Sequence, residues 1–225
     1  MKRFFHIILL FTIILFGCRC TSTETNRCLT EVDSLVRRNQ IDSAFRIINR
    51  VDVANLTSNT DSANFFLQKT RLLYKLYKPI KSTEMIDYSI RYYENQNDNI
   101  EKLTEAYFYK GVVLYEHKQI KDAIVYIKKA EYVARKLSTH PIKLQIYENL
   151  FVINEESGER QLALKNAKKV LDIANTLKDK VQLARAYNNI AVAYNKLHQT
   201  DSANVYITKS MKMLHYIPRN EQIYI

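Results

Sequence analysis

A fingerprint returns every 40 residues along this chain: Tyr107, Tyr147 and Tyr187 are evenly spaced, as are Val112, Val152 and Val192, and Ala123, Ala163 and Ala203. A fixed period of about 20–50 residues marks a stack of one supersecondary unit, which cannot bury its apolar face alone and packs on its neighbours. Such a stack offers a broad surface rather than a catalytic pocket. The period therefore points to a binding scaffold.

The secondary structure of the unit follows from punctuation and spacing. Among 225 residues there are only 3 Gly and 3 Pro, so breaks are rare and helices are expected throughout. Ala123, Ile127, Ala130 and Ala134 fall on one helical face, as do Ala163, Ala167, Val170 and Ala174, and Ala186, Ile190, Ala193 and Leu197. No stretch alternates as a strand would. Turns are expected at His117 to Gln119, Ser157 to Glu159 and His198 to Thr200, with Gly158 suited to a positive φ. Pro141 suits the first turn of a helix. Upstream, Cys28 to Arg38 and Ile41 to Val51 read as two helices, the second burying Ala44, Ile48 and Val51. Ser62 to Tyr77 reads as a longer helix stopped by Pro79, and Ser82 as the N-cap of a helix ending near Glu94. The sum is five helix pairs.

Tyr187, Ile190, Ala191 and Tyr194, then Ala203 and Ile207, resemble the tetratricopeptide repeat, whose first helix carries W-x2-L-G-x2-Y and whose second carries A-x3-F. Tyr107, Lys110, Gly111, Leu114, Ala123 and Ile127 give a second copy. Tyr147, Leu150, Phe151, Asn154, Ala163 and Ala167 give a third, in which Phe151 and Asn154 depart most. The resemblance implies an all-α fold: an α-solenoid of about five helix-turn-helix pairs with a right-handed superhelical twist. Gly111, Ala191 and the three period-related alanines would let paired helices approach closely. The family places partner contacts on the first helices. On this sequence those are Phe108, Val112 and Tyr115; Glu148, Val152 and Glu155; and Arg185, Asn188, Val192 and Asn195. Asn188 and Asn195 would pair with a peptide main chain, since an amide both donates and accepts. The Tyr107, Tyr147 and Tyr187 set is expected in the core.

The N-terminus reads as a leader. Lys2 and Arg3 precede an apolar run from Phe4 to Phe16, too short to span a bilayer comfortably, which takes about 20 residues. Leu15-Phe16-Gly17-Cys18 resembles a lipobox, with lipidation at Cys18; an ordinary signal peptide or uncleaved anchor is the alternative. The expected organisation is a signal peptide at 1–17, a polar tether at 18–27, the repeat domain at 28–217, and an incomplete further repeat or frayed tail at 218–225. Gln222 matches Gln182 one period earlier, and truncation is the favoured reading of that ending. An uncovered last helix would then leave Tyr206, Ile207 and Met211 partly bare and prone to self-association. Cys20 and Cys28 either pair in an oxidising compartment or stand apart, with Cys28 opening the first helix.

The formal net charge is +11. The basic residues, such as Lys128, Lys129, Lys165, Lys168 and Lys169, are interspersed with acids over helix faces. That reads as a solvated face rather than a nucleic-acid element, with a preference for anionic lipid headgroups or acidic partners left open. His117, His140, His198 and His215 lie far apart, and there is no H-E-x-x-H, Cys-x-x-Cys or G-x-S-x-G, so no metal, cofactor or catalytic site is expected. Glu155-Glu156 reads as a solvated helix end.

The whole chain also resembles exported tetratricopeptide lipoproteins of Bacteroides-like bacteria, through Asp33-Ser34-Leu35, Asp42-Ser43-Ala44 and Pro79-Ile80-Lys81-Ser82. It lacks the acidic cluster after Cys18 that sends some of them to the cell surface. The expectation is a non-catalytic, membrane-tethered lipoprotein facing the periplasm, at the outer membrane rather than the inner, binding a protein or peptide and no nucleic acid. The alternative is the ligand-sensing half of a truncated membrane-bound regulator.

Overall fold

The computed structural model describes residues 22–96, 98–138 and 141–217. Ten α-helices and one short 3-10 turn account for its regular structure, and there is no strand among the described residues. The helices are α1 (Ser22–Arg37), α2 (Ile41–Ile48), α3 (Asn59–Lys75), α4 (Glu84–Glu94) and α5 (Ile100–Glu116), then α6 (Ile120–Ala134), α7 (Pro141–Glu156), α8 (Arg160–Leu177), α9 (Lys180–Lys196) and α10 (Thr200–Leu214). They pack as five hairpins, α1 with α2 through α9 with α10, and each hairpin leans on the next. The first helices α1, α3, α5 and α7 also touch in series.

One turn geometry recurs in all five hairpins. Asn39, Tyr77, Lys118, Gly158 and His198 each take a positive φ. Two backbone bonds then close each first helix, as in Lys118 N–H to Tyr115 O and Gln119 N–H to Leu114 O, repeated at Gly158 with Glu159 and at His198 with Gln199. This pattern satisfies carbonyls that the helix end would leave open. Gly158 alone uses the residue best suited to it.

The helix faces predicted from spacing are the buried ones. Ala123, Ile127, Ala130 and Ala134 are buried on α6, and Ala163, Ala167, Val170 and Ala174 on α8. Ala44, Ile48 and Val51 are buried as well. Buried serines tie two pairs together across the same offset: Ser89 Oγ donates to Ala63 O at 2.8 Å, and Ser210 Oγ to Ala184 O at 2.9 Å. Both bonds relieve an oxygen that would be costly to bury alone.

Tyr107 is buried, while Tyr147 and Tyr187 are half-buried beneath a lysine from 22 residues later. Lys129 Nζ lies 5.4 Å from the Tyr107 ring, Lys169 4.3 Å from Tyr147 and Lys209 5.9 Å from Tyr187. Each lysine roofs the ring that its own hairpin buries, a favourable cation–π contact. Lys129 and Lys169 are thus not simply solvated.

Several boundaries differ from the sequence expectation. α1 begins at Ser22, so residues 22–27 are helical rather than tether, and Cys28 lies inside the helix, half-buried against the Leu29 and Val32 cluster. α3 begins at Asn59 because Ser58 Oγ accepts the Asp61 N–H at 3.0 Å, and it ends at Lys75, before Tyr77 turns left-handed and ahead of Pro79. α2 stops at Ile48. Ser82 is not a cap: Thr83 occupies that position, with its Oγ1 donating to Asp87 Oδ2 at 2.7 Å. The leader, Cys18, Cys20 and the segment 218–225 lie outside the described residues. No helix among those described is long and apolar enough to cross a membrane.

Candidate binding groove on the first helices

Two adjoining cavities lie along the first helices. One of about 630 Å³ is bounded by α1, α3, α5 and α7, and a second of about 1090 Å³ by α3, α7 and α9. They share Lys75, Pro141 and Gln145, so they form one continuous groove.

The floor of the first cavity is a buried ion cluster that joins three helices. Arg71 of α3 reaches Asp33 of α1 at 2.6 Å through Nη2, and both carboxylate oxygens of Glu105 of α5 at 3.3 Å through Nη1. Burial works against the Arg71 charge, but the carboxylates of Glu105 and Asp33 outweigh it and hold the guanidinium ionised. Beside it Gln68 donates to Leu29 O at 3.1 Å. Tyr109 is fully buried next to Glu105, and burial pushes its phenol well up. Asn64, Gln68, Asn99 and Gln145 give this wall amide character.

The second cavity continues that character with Asn149 and Gln182. Glu148 and Arg185 face each other across it at 3.9 Å. Burial raises the Glu148 carboxyl above the usual range, Arg185 opposes the shift, and Asp179 adds to it. Acidic and basic side chains stand against each other in both cavities, so the groove has little net charge despite the basic chain. Its polar content suits an extended main chain, whose N–H and C=O groups match amides.

The ten residues expected to line the groove divide. Glu148 and Arg185 do line it. Phe108 and Val112 do not: they are 0% and 2% exposed, in the core formed with Tyr93 and Ile127. Tyr74 of α3 packs on Phe108, its ring 6.4 Å away. The equal-period rule fails there because α5 is enclosed between α3 and α7. Val152, Val192 and Asn195 are exposed, on the helix faces that continue past the second cavity. Asn188 is half-buried on that face. Glu155 pairs with Lys196 at 3.3 Å, and the Tyr115 hydroxyl donates to Glu156, so neither faces open space alone. Sequence reasoning missed Asp33, Gln68, Arg71 and Gln145. A buried arginine amid two carboxylates is invisible to a 40-residue period, since the first two hairpins carry that period loosely.

Solved structures share this architecture. BtubC from P. vanneervenii superposes with a TM-score of 0.68 at 13% identity, over 88% of this chain and 85% of that one. The nearly identical TPR-like repeats of a kinesin light chain from Podosopora anserina give 0.64 at 14%, over 88% and 98%. Aspartyl phosphate phosphatase F from Bacillus subtilis gives 0.67 at 18%, over 84% of this chain but 49% of that one. The fold is a tetratricopeptide-like α-solenoid. At these identities the likeness is one of fold. No family model matches the sequence, and no curated protein matches it.

Proposed function

We propose that this tetratricopeptide-like solenoid is a non-catalytic scaffold that binds an extended protein or peptide segment along its first helices. The continuous groove from Asp33 to Arg185 carries this reading, because its amide-rich, charge-balanced wall matches a polypeptide main chain better than a compact apolar ligand. The chain is held to a membrane by lipidation at Cys18, facing the periplasm from the outer membrane; the succession of basic residues, apolar run, small residue and cysteine in the sequence supports this. Recovery of co-purifying protein with Gln145→Ala plus Gln182→Ala tests the groove: partner recovery should fall, and unchanged recovery would remove the site. Palmitate labelling that persisted in Cys18→Ser would remove the anchor.

A specific observation also supports self-association at the α10 edge. Ala167 of α8 is 0% exposed beneath α9, yet Ile207, its equivalent one period on, is 44% exposed, and Met211, the equivalent of half-buried Leu171, is 61% exposed. Two copies meeting through this same patch would form an isologous contact. Sedimentation should show a dimer that Ile207→Lys plus Met211→Lys converts to monomer; a monomeric parent would end this reading.

A further inference from the structure

The groove is charge-balanced, so the excess positive charge lies elsewhere, and the structure places much of it on the outer stripes of α6, α8 and α10. On α6 the exposed stripe runs Val125, Lys128, Tyr132 and continues past the helix end to Lys136. On α8 it runs Leu162, Lys165, Lys168, and on α10 Val205, Lys209, Lys212. The three stripes are linked. Lys169 of α8 donates to Glu131 of α6 at 2.9 Å, and the stacked rings of Tyr194 and Tyr206 separate Lys168 from Lys209. Against these cations stand Asp122, Glu131, Asp172 and Asp201, and Glu131 is already engaged by both Lys128 and Lys169.

We propose that this outer face of α6, α8 and α10 docks on an anionic phospholipid surface. Its composition separates a bilayer from an acidic protein. A protein partner is met by a packed central pocket rich in aromatics and arginine, whereas neither cavity of the groove reaches these stripes and their cations are lysines. Lysine is a point charge on a flexible stem, suited to a diffuse field of headgroups. The exposed apolar side chains, Val125 (51%), Tyr132 (64%), Leu162 (48%) and Val205 (52%), stand singly among them. Each can enter the headgroup region while neighbouring lysines remain at phosphate level. Docking this way leaves the groove of the first helices open to a partner, and it does not depend on lipidation at Cys18.

Flotation of the full chain with vesicles tests the proposal. The apolar leader and any acyl chain insert whatever the headgroup charge, so the readout is the ratio of binding to phosphatidylglycerol-containing vesicles over pure phosphatidylcholine vesicles. That ratio should be about tenfold or more at low salt and collapse at high salt, as screened surface attraction requires. Replacing Lys136, Lys165, Lys168 and Lys212 by Glu should bring it close to one, and replacing the same four by Gln should lower it partway. Reversing Arg46, Arg50, Lys81 and Arg91, which lie on other elements, should leave it high. A parent ratio near one, or equal losses in the two reversal variants, would overturn the assignment. Tight capture of soluble polyglutamate with no vesicle preference would give the face to an acidic protein instead. Unchanged helical circular dichroism identifies which variants remain folded.

Discussion

A Cβ built on Gly111 would stand 2.5 Å from Ile127 Cγ1 and 3.1 Å from Ala123 O, so α5 and α6 approach each other closely at Gly111. The same two positions recur 40 residues later as Phe151 and Ala167, and again as Ala191 and Ile207. Phe151 and Ala167 are buried in one cluster with Ala163. The middle hairpin therefore exchanges the volumes of the pair: the large side chain moves to the first helix and the small one to the second. This explains why Phe151, the strongest departure from the repeat motif, is accommodated.

Gly111→Ala should destabilise the protein by about 1–3 kcal/mol, because a backbone oxygen and an enclosed isoleucine both stand in the way. Ile127→Ala, itself destabilising, should couple favourably with it in a double-mutant cycle. Urea denaturation with both single variants and the double variant measures the coupling; strict additivity would show that the two positions do not share space.

The five left-handed turns make a prediction of opposite sign. Lys118 and His198 hold a conformation that costs a side chain about 1–2 kcal/mol, partly offset by the chain entropy that a glycine would lose. Lys118→Gly and His198→Gly should each stabilise by about 0.5–1 kcal/mol. Gly158→Ala should destabilise although nothing lies within 4 Å of its added methyl. Thermal unfolding of the three variants separates turn strain from packing.

Much of this was legible in the sequence. The period predicted the hairpins, their turns and the buried faces of α6, α8 and α10's partner α9, because each of these is repeated in register. The groove was less legible. Phe108 and Val112 occupy the same period positions as Glu148 and Val152, yet Phe108 is packed under the Tyr74 ring whereas Glu148 lines the second cavity beside it. A lateral neighbour from an earlier hairpin decides that exposure, and the period does not encode it. The lysine roofs over Tyr107, Tyr147 and Tyr187 were present as an offset of 22 residues, but lysine is ordinarily taken as a solvent residue.

Arg71→Met should cost about 3–5 kcal/mol, since it leaves the enclosed carboxylates of Asp33 and Glu105 without their guanidinium. Replacing all three together, Arg71→Met with Asp33→Asn and Glu105→Gln, should recover much of that loss. Chemical denaturation gives both values. A single variant as stable as the parent would show that the cluster does not link α1, α3 and α5.

Stability should also respond to acid through Glu131. Burial alone would raise its carboxyl, but hydrogen bonds from Lys128 and Lys169 prevail and bring it down to about 2. A lowered folded-state value means stability that is present above the ordinary carboxylate value of 4.5 and lost as pH falls toward 2. Glu148 has the opposite sign: its raised value favours the folded state at low pH and loses that contribution as pH rises through it. Glu131→Gln should flatten the acid limb between pH 4.5 and 2 relative to the parent, whereas Glu148→Gln should act above pH 4.5, removing the loss of stability that sets in as pH rises through the Glu148 value. Unfolding midpoints measured on both sides of pH 4.5 separate the two effects.

Recognition along the first helices is most directly tested by a photoreactive amino acid placed at Gln145, where the two cavities meet, in cells expressing the chain at its native level. Illumination should yield a discrete protein adduct from Gln145, and none from the same probe at Glu84 on the far side of the second hairpin. Equal labelling from both positions, or no adduct from Gln145 while the protein remains folded, would contradict the groove as the place where this protein meets its partner.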